Sequence, residues 1–286
     1  MKKKTLKLHT VMRLVIQAVF FILMPSAFTT AFSGIKYIFT RMGAGEYLEF
    51  TSFLSVLTVL CLYTVIFGRF FCGFACAFGS FGDWIHGLYI VICKKIKKKP
   101  VQIDVKWKKR LSWIKYIVLS VIIVLCFVQI YGKMSGWNPW VVFSMIRSGN
   151  TNFDSYILGV VILIIIIIGM AVCERFFCLF LCPMGAVFSI LPVLPAFALH
   201  RKRNECINGC NACGNKCPSG IGLPDADGTL SEDVYTGDCF MCQKCMDICP
   251  KGNIKKGKGF LWKGNEIWFI LFRAVLLAVL LIYAGI

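Results

Sequence analysis

Twelve of the chain's sixteen cysteines stand in four tight groups, and thiolates at such spacings are the natural ligands of metal centres. Two of the groups are pairs inside a repeated phrase. Arg69-Phe70-Phe71-Cys72-Gly73-Phe74-Ala75-Cys76 returns as Arg175-Phe176-Phe177-Cys178-Leu179-Phe180-Leu181-Cys182, 106 residues later (175 − 69), and Gly79 and Gly185 follow at matching positions. Four thiols in two matched pairs point to one shared site. The remaining groups are Cys206-x3-Cys210-x2-Cys213-x3-Cys217-Pro218 and Cys239-x2-Cys242-x2-Cys245-x3-Cys249-Pro250. The second is the bacterial ferredoxin run, in which three close thiolates hold one [4Fe–4S] cube and the fourth cysteine ligates its neighbour.

That rule assigns Cys239, Cys242, Cys245 and Cys217 to one cube and Cys206, Cys210, Cys213 and Cys249 to the other. Zinc also uses paired cysteines, but it has no need of the interleaved fourth cysteine before proline. In the repeated phrase, positions i and i+4 share a helix face. Cys72 with Cys76 and Cys178 with Cys182 are therefore expected to converge on a further [4Fe–4S] or [2Fe–2S] cluster. The bland alternative is a set of buried small hydrophobes. Arg69 and Arg175 read either as offsets to cluster charge or as helix-end anchors. Cys61, Cys93, Cys126 and Cys173 lack a partner at ligand spacing and read as packing residues. His9, His86 and His200 are not paired within spanning helices as a haem would need, and no dinucleotide or Walker-type loop is present. The cargo is electrons, which require no catalytic acid or base.

The elements that must position these groups are apolar. The chain is 58% hydrophobic and 16% charged, with a mean hydropathy of +0.73, outside the range of soluble domains. The +18 formal charge sits in short segments beside apolar runs, as the positive-inside rule requires, so it reads as topology rather than nucleic-acid binding. Five crossings are expected: Val11 to Phe32 behind a basic start, Phe50 to Gly68, Leu111 to Tyr131, Ser155 to Cys173, and Ile267 to Ile286. Ser33 to Glu49 reads as a loop. Gly132 to Asp154 reads as an outer loop with Trp137 and Trp140 as interface anchors. Ala77 to Cys93 and Pro183 to Leu199 read as interfacial or re-entrant.

The expected fold is an all-α integral membrane protein of about five helices in two parallel two-helix repeats, with an inserted cytoplasmic 2[4Fe–4S] ferredoxin domain. The domains would be 1–110 and 111–200 for the two membrane repeats, 201–258 for the ferredoxin insert and 259–286 for the last helix. The N-terminus and insert would face the cytoplasm and the C-terminus the outside.

Taken together, Cys72/Cys76, Cys178/Cys182 and the double ferredoxin motif resemble the NapH/NosR-type membrane polyferredoxins, which are related to FixG-like oxidase assembly proteins. The resemblance covers about Leu48 to Ile254. Ala77 stands where the family has proline after the first pair, and a fifth helix follows the insert. The resemblance implies electron transfer linked to quinol, or between a cytoplasmic carrier (ferredoxin-like or flavoprotein) and membrane or extracytoplasmic redox subunits. A quinone is among the cofactors it allows. The FixG relationship implies a second possibility, a copper or iron reductase or maturation factor for a metalloenzyme.

Overall fold

The computed structural model describes residues 2–101, 103–150, 152, 154–194, 197–201, 205–207, 209–221, 236–256 and 266–286. Helix α1 (Lys2–Leu23) stops before Pro25, which has no N–H to continue the ladder, and α2 (Ala27–Ala44) leaves at 60°. The expected straight crossing Val11 to Phe32 is thus a bent pair. Most of the expected loop from Ser33 is the second half of α2. Small residues explain that outcome: Gly34 lets α2 approach α3 (Ser52–Phe67), where a Cβ would stand 2.6 Å from the Phe53 carbonyl oxygen. At Gly43 a Cβ would overlap the Phe127 carbonyl at the end of α6 (Ile114–Phe127). Close backbone approach of this kind is how helices pack in lipid.

After α3 the chain turns at Gly68 (φ +71°), makes one π-helical turn over Phe71–Ala75 and enters α4 (Ala77–Lys95). A short basic helix, α5 (Val105–Leu111), precedes α6. Within the expected outer loop lies α7 (Pro139–Arg147), which turns Trp140 into the aromatic core (8% exposed) while Trp137 stays outside (53%). Trp140 is therefore a core residue rather than the exposed anchor expected of it, while Trp137 is exposed. The second copy of the repeated phrase follows α8 (Ile157–Val172) as α9 (Phe176–Phe180) and α10 (Pro183–Ile190). In the insert, β1 (Leu199–Arg201) pairs antiparallel with β2 (Ile254–Lys256), His200 opposite Lys255, so the ribbon ties the insert's two ends together. Between them lie α11 (Ala212–Lys216) and α12 (Lys244–Ile248), and α13 (Glu266–Tyr283) follows. Parts of the expected insert, 202–204, 208, 222–235 and 257–258, lie outside the described residues, as does Pro195.

Val105–Phe127 and Glu266–Tyr283 are long and apolar enough to cross a membrane, and the bent pair α1–α2 would make a third span. Helices α3 and α8 are apolar but have 16 residues each, about 24 Å of helix against roughly 30 Å of hydrocarbon. Their outward faces are nonetheless greasy. On α8, Ile157, Val161, Ile164, Ile165 and Ile168 are exposed at helical spacing, as are Trp268, Phe272, Val275, Val279 and Ile282 on α13. Faces of that extent suit lipid rather than water.

Candidate metal centres

Cys72 lies in the π-helical turn and Cys178 in α9, but Cys76 and Cys182 are extended residues that open α4 and α10. The expectation of two cysteines on one helix face is therefore corrected. Each pair spans a helix break, because the backbone unwinds to let the second cysteine cap the next helix. The Gly185 N–H donates to the Cys182 sulfur at 3.2 Å. All four cysteines are buried and lie within electrostatic reach of one another.

Around them, the arginines of the repeated phrase cross over. Arg175, 1% exposed and at a left-handed backbone position (φ 62°), reaches into the first copy. There it donates to the Cys72 carbonyl and to the Gly73 carbonyl at 2.9 Å, and it holds Asp83 bidentately at 3.0 and 2.5 Å. Arg69, also 1% exposed, reaches into the second copy and donates to Ser189 Oγ at 3.1 Å and Asp238 Oδ1 at 3.2 Å. The notches that admit them are the repeated glycines. A Cβ on Gly79 would stand 3.2 Å from an Arg175 nitrogen, and one on Gly185 would stand 3.1 Å from an Arg69 nitrogen. These arginines are not helix-end anchors. Among the described residues, Nε and one terminal nitrogen of Arg69 have no hydrogen-bond partner although fully buried, and unmatched donors within electrostatic reach of Cys72, Cys178 and Cys182 fit an anionic cluster, whose sulfur atoms accept such bonds.

In the insert, Cys206, Cys210, Cys213 and Cys249 line one small cavity. Cys217, Cys239, Cys242 and Cys245 line another of about 150 Å³, which Cys213 also borders. Among the described residues, no three Cys, His, Asp or Glu side chains converge on a point that would hold a single metal ion. Thiols that ring a void rather than a point fit a cluster with its own sulfide. Burial, then the neighbouring Cys217 thiol, pushes Cys239 up to about 11 and Cys242 up to about 12. Iron charge is what would turn them into thiolates, so metal uptake would release protons. Asn253 donates to the Cys249 sulfur at 3.4 Å and to the Cys206 sulfur at 3.3 Å, and Arg201 to the Cys213 sulfur at 3.4 Å. Such bonds tune cluster potential.

The comparisons fall on the same residues. The family described as "4Fe-4S binding domain" matches 49–100 and 157–202, each segment one copy of helix, cysteine pair and following helix. An uncharacterized protein of Methanocaldococcus jannaschii is 29% identical over 65% of this chain and 63% of its own length. The regulatory protein NosR of Stutzerimonas stutzeri is 26% identical over 68% of this chain, and the ferredoxin-type protein NapH of Escherichia coli 27% over 48%. In these segments the chain is similar to the NapH/NosR-type polyferredoxins. Both matched segments are those of a 4Fe–4S binding family. The match spans 27% of NosR and 47% of NapH, so less than two thirds of these relatives is represented. No solved structure matches.

Cysteine spacing alone points to the candidate ligands, but it misses residues around them, among them Asp83, Lys115, Ser189 and Asp238. A signal was available for two of them. Asp83 and Ser189 are separated by the same 106 residues as the cysteines, which places them at one repeat position (189 − 83).

Proposed function

We propose that this chain is a membrane electron relay that takes single electrons from a cytoplasmic carrier through two [4Fe–4S] cubes to a third cluster held by Cys72, Cys76, Cys178 and Cys182. The observation that carries the reading is the order of burial and contact. Cys206 and Cys210 are exposed, the second cavity borders the first through Cys213, and the segment bearing Cys239 and Cys242 packs against Gly68 and Gly73, the latter next to Cys72. On that segment, the Phe240 ring lies between the guanidinium groups of Arg69 and Arg175, at 4.7 and 5.3 Å, and Gly73 has no room for a Cβ against the Phe240 carbonyl. Entry is thus at the exposed cube and exit at the buried site, although the direction of flow is set by the potentials of the partners.

Beyond the membrane cysteines, the proposed route continues along aromatic rings. Phe177, next to Cys178, stands 6.1 Å from Phe28 and 6.1 Å from Trp140, and both rings approach Phe32. Lys36 follows on α2 at an open cavity of about 400 Å³ lined also by Tyr37, Gln129 and Tyr131. A quinone headgroup or a partner subunit's cofactor would be reduced or oxidised there. Cys72→Ser combined with Cys178→Ser tests the shared site. The ferredoxin signals are expected to persist while transfer to the membrane acceptor is lost; unchanged transfer would remove the third cluster from the relay.

A further inference from the structure

The two copies of the repeat differ at one position that matters. Where the first copy has Asp83, holding Arg175 bidentately, the second has Ser189, which cannot neutralise Arg69. The missing carboxylate arrives from outside the repeat. Asp238 Oδ1 lies 3.2 Å from Arg69, 2.5 Å from Lys115 Nζ and 2.8 Å from Ser189 Oγ. Arg69 and Lys115 are both 1% exposed, so the two cations have no water to replace it.

Asp238 is the residue before Cys239, and the chain that follows is fastened to the membrane body. Phe240 rests on Arg69 and Arg175, Met241 lies against Gly68, and Arg13 donates to the Cys242 carbonyl at 3.3 Å. Met241 and Gln243 hold left-handed backbone (φ 52° and 60°), a conformation non-glycine residues keep only when their surroundings impose it. The docked segment carries two of the four cysteines of one cube.

We propose that Asp238 is a positioning residue that completes the second half of the membrane site from outside the repeat and thereby latches the ferredoxin cube against the membrane cluster. The inference rests on the relay reading for its redox consequence, but not for the latch itself. The step it would serve is the passage of one electron between a centre held by Cys217, Cys239, Cys242 and Cys245 and one held by Cys72, Cys76, Cys178 and Cys182; no bond would form or break.

The test uses the full chain, purified without oxygen in detergent, as parent, Asp238→Asn, Asp238→Glu and Ser189→Asp/Asp238→Asn. The double variant returns a carboxylate to Arg69 from the repeat position but leaves the insert without its anchor. Two readouts are taken: hydrogen exchange of the 239–243 amides, and that part of the spin–spin splitting in the dithionite-reduced EPR spectrum that Cys72→Ser/Cys178→Ser removes, the coupling between the two insert cubes being common to all variants. In Asp238→Asn and in the double variant, exchange is expected to rise at least about tenfold and that part of the splitting to be lost, with Asp238→Glu partly restoring both. Parent-like protection and splitting in Asp238→Asn would overturn the latch. Their recovery in the double variant would also overturn it, reducing Asp238 to a counter-charge. If the parent shows no membrane cluster, the relay reading fails, and the exchange arm still decides the latch.

Discussion

Arg175 and Arg69 show what a charged residue does when neither lipid nor water is available to it. Each is buried, so each must be matched by a carboxylate, by carbonyls or by the cluster itself. Arg175→Gln strands Asp83, 7% exposed at its side chain, and is expected to cost about 3–5 kcal/mol in thermal unfolding. Adding Asp83→Asn should recover a large part of that loss, because the uncompensated charge is gone. A full loss retained in the double variant would mean that the guanidinium's bonds to the Cys72 and Gly73 carbonyls, not the ion pair, hold the site. Gly185→Ala acts through size alone. Its Cβ would stand 2.9 Å from the Cys178 carbonyl oxygen, and an overpacked site of this kind loses about 1–3 kcal/mol. Iron analysis should show that the membrane cluster is lost before the ferredoxin cubes.

At the scale of elements, the two copies are the same device built twice: an apolar helix, a break that exposes a cysteine, and a second helix capped by the next cysteine. The cysteine groupings, the repeat and most of the apolar helices are legible in the sequence, because spacing and hydropathy are local properties. The unwinding at Cys76 and Cys182 is not, since i, i+4 spacing fits a continuous helix equally well and only tertiary contact selects the break. Nor is the continuation of α2 past Ser33, where Ser, Gly and Lys suggest a loop. There the decisive fact is a neighbour: Gly34 and Gly43 are valuable only because α3 and α6 pass close by. Gly34→Ala is accordingly expected to lower stability in detergent by about 1–3 kcal/mol without changing the reduced spectrum. A spectral change would mean that the packing of α2 reaches the clusters. Trp140 belongs to the same class, read as an anchor from its neighbours in sequence and found among the rings of Phe28, Phe32 and Phe177.

At the scale of the molecule, three sets of four cysteines descend from exposed to buried, and the insert is fastened by its cysteine loop to the centre of the two repeats. Five crossings remain the proposed topology, with two spans of full length, a bent pair, and the 16-residue helices α3 and α8. With the insert inside, a periplasmic-type reporter fused after Ile286 should be active and a cytoplasmic one silent; the reverse would require one crossing fewer or more. The central claim, a third cluster between the repeated cysteine pairs, is tested most directly by iron and acid-labile sulfide per chain on protein purified without oxygen. The account expects about twelve irons, or about ten if the membrane centre is [2Fe–2S]. About eight, with both ferredoxin cubes intact by EPR, would contradict it.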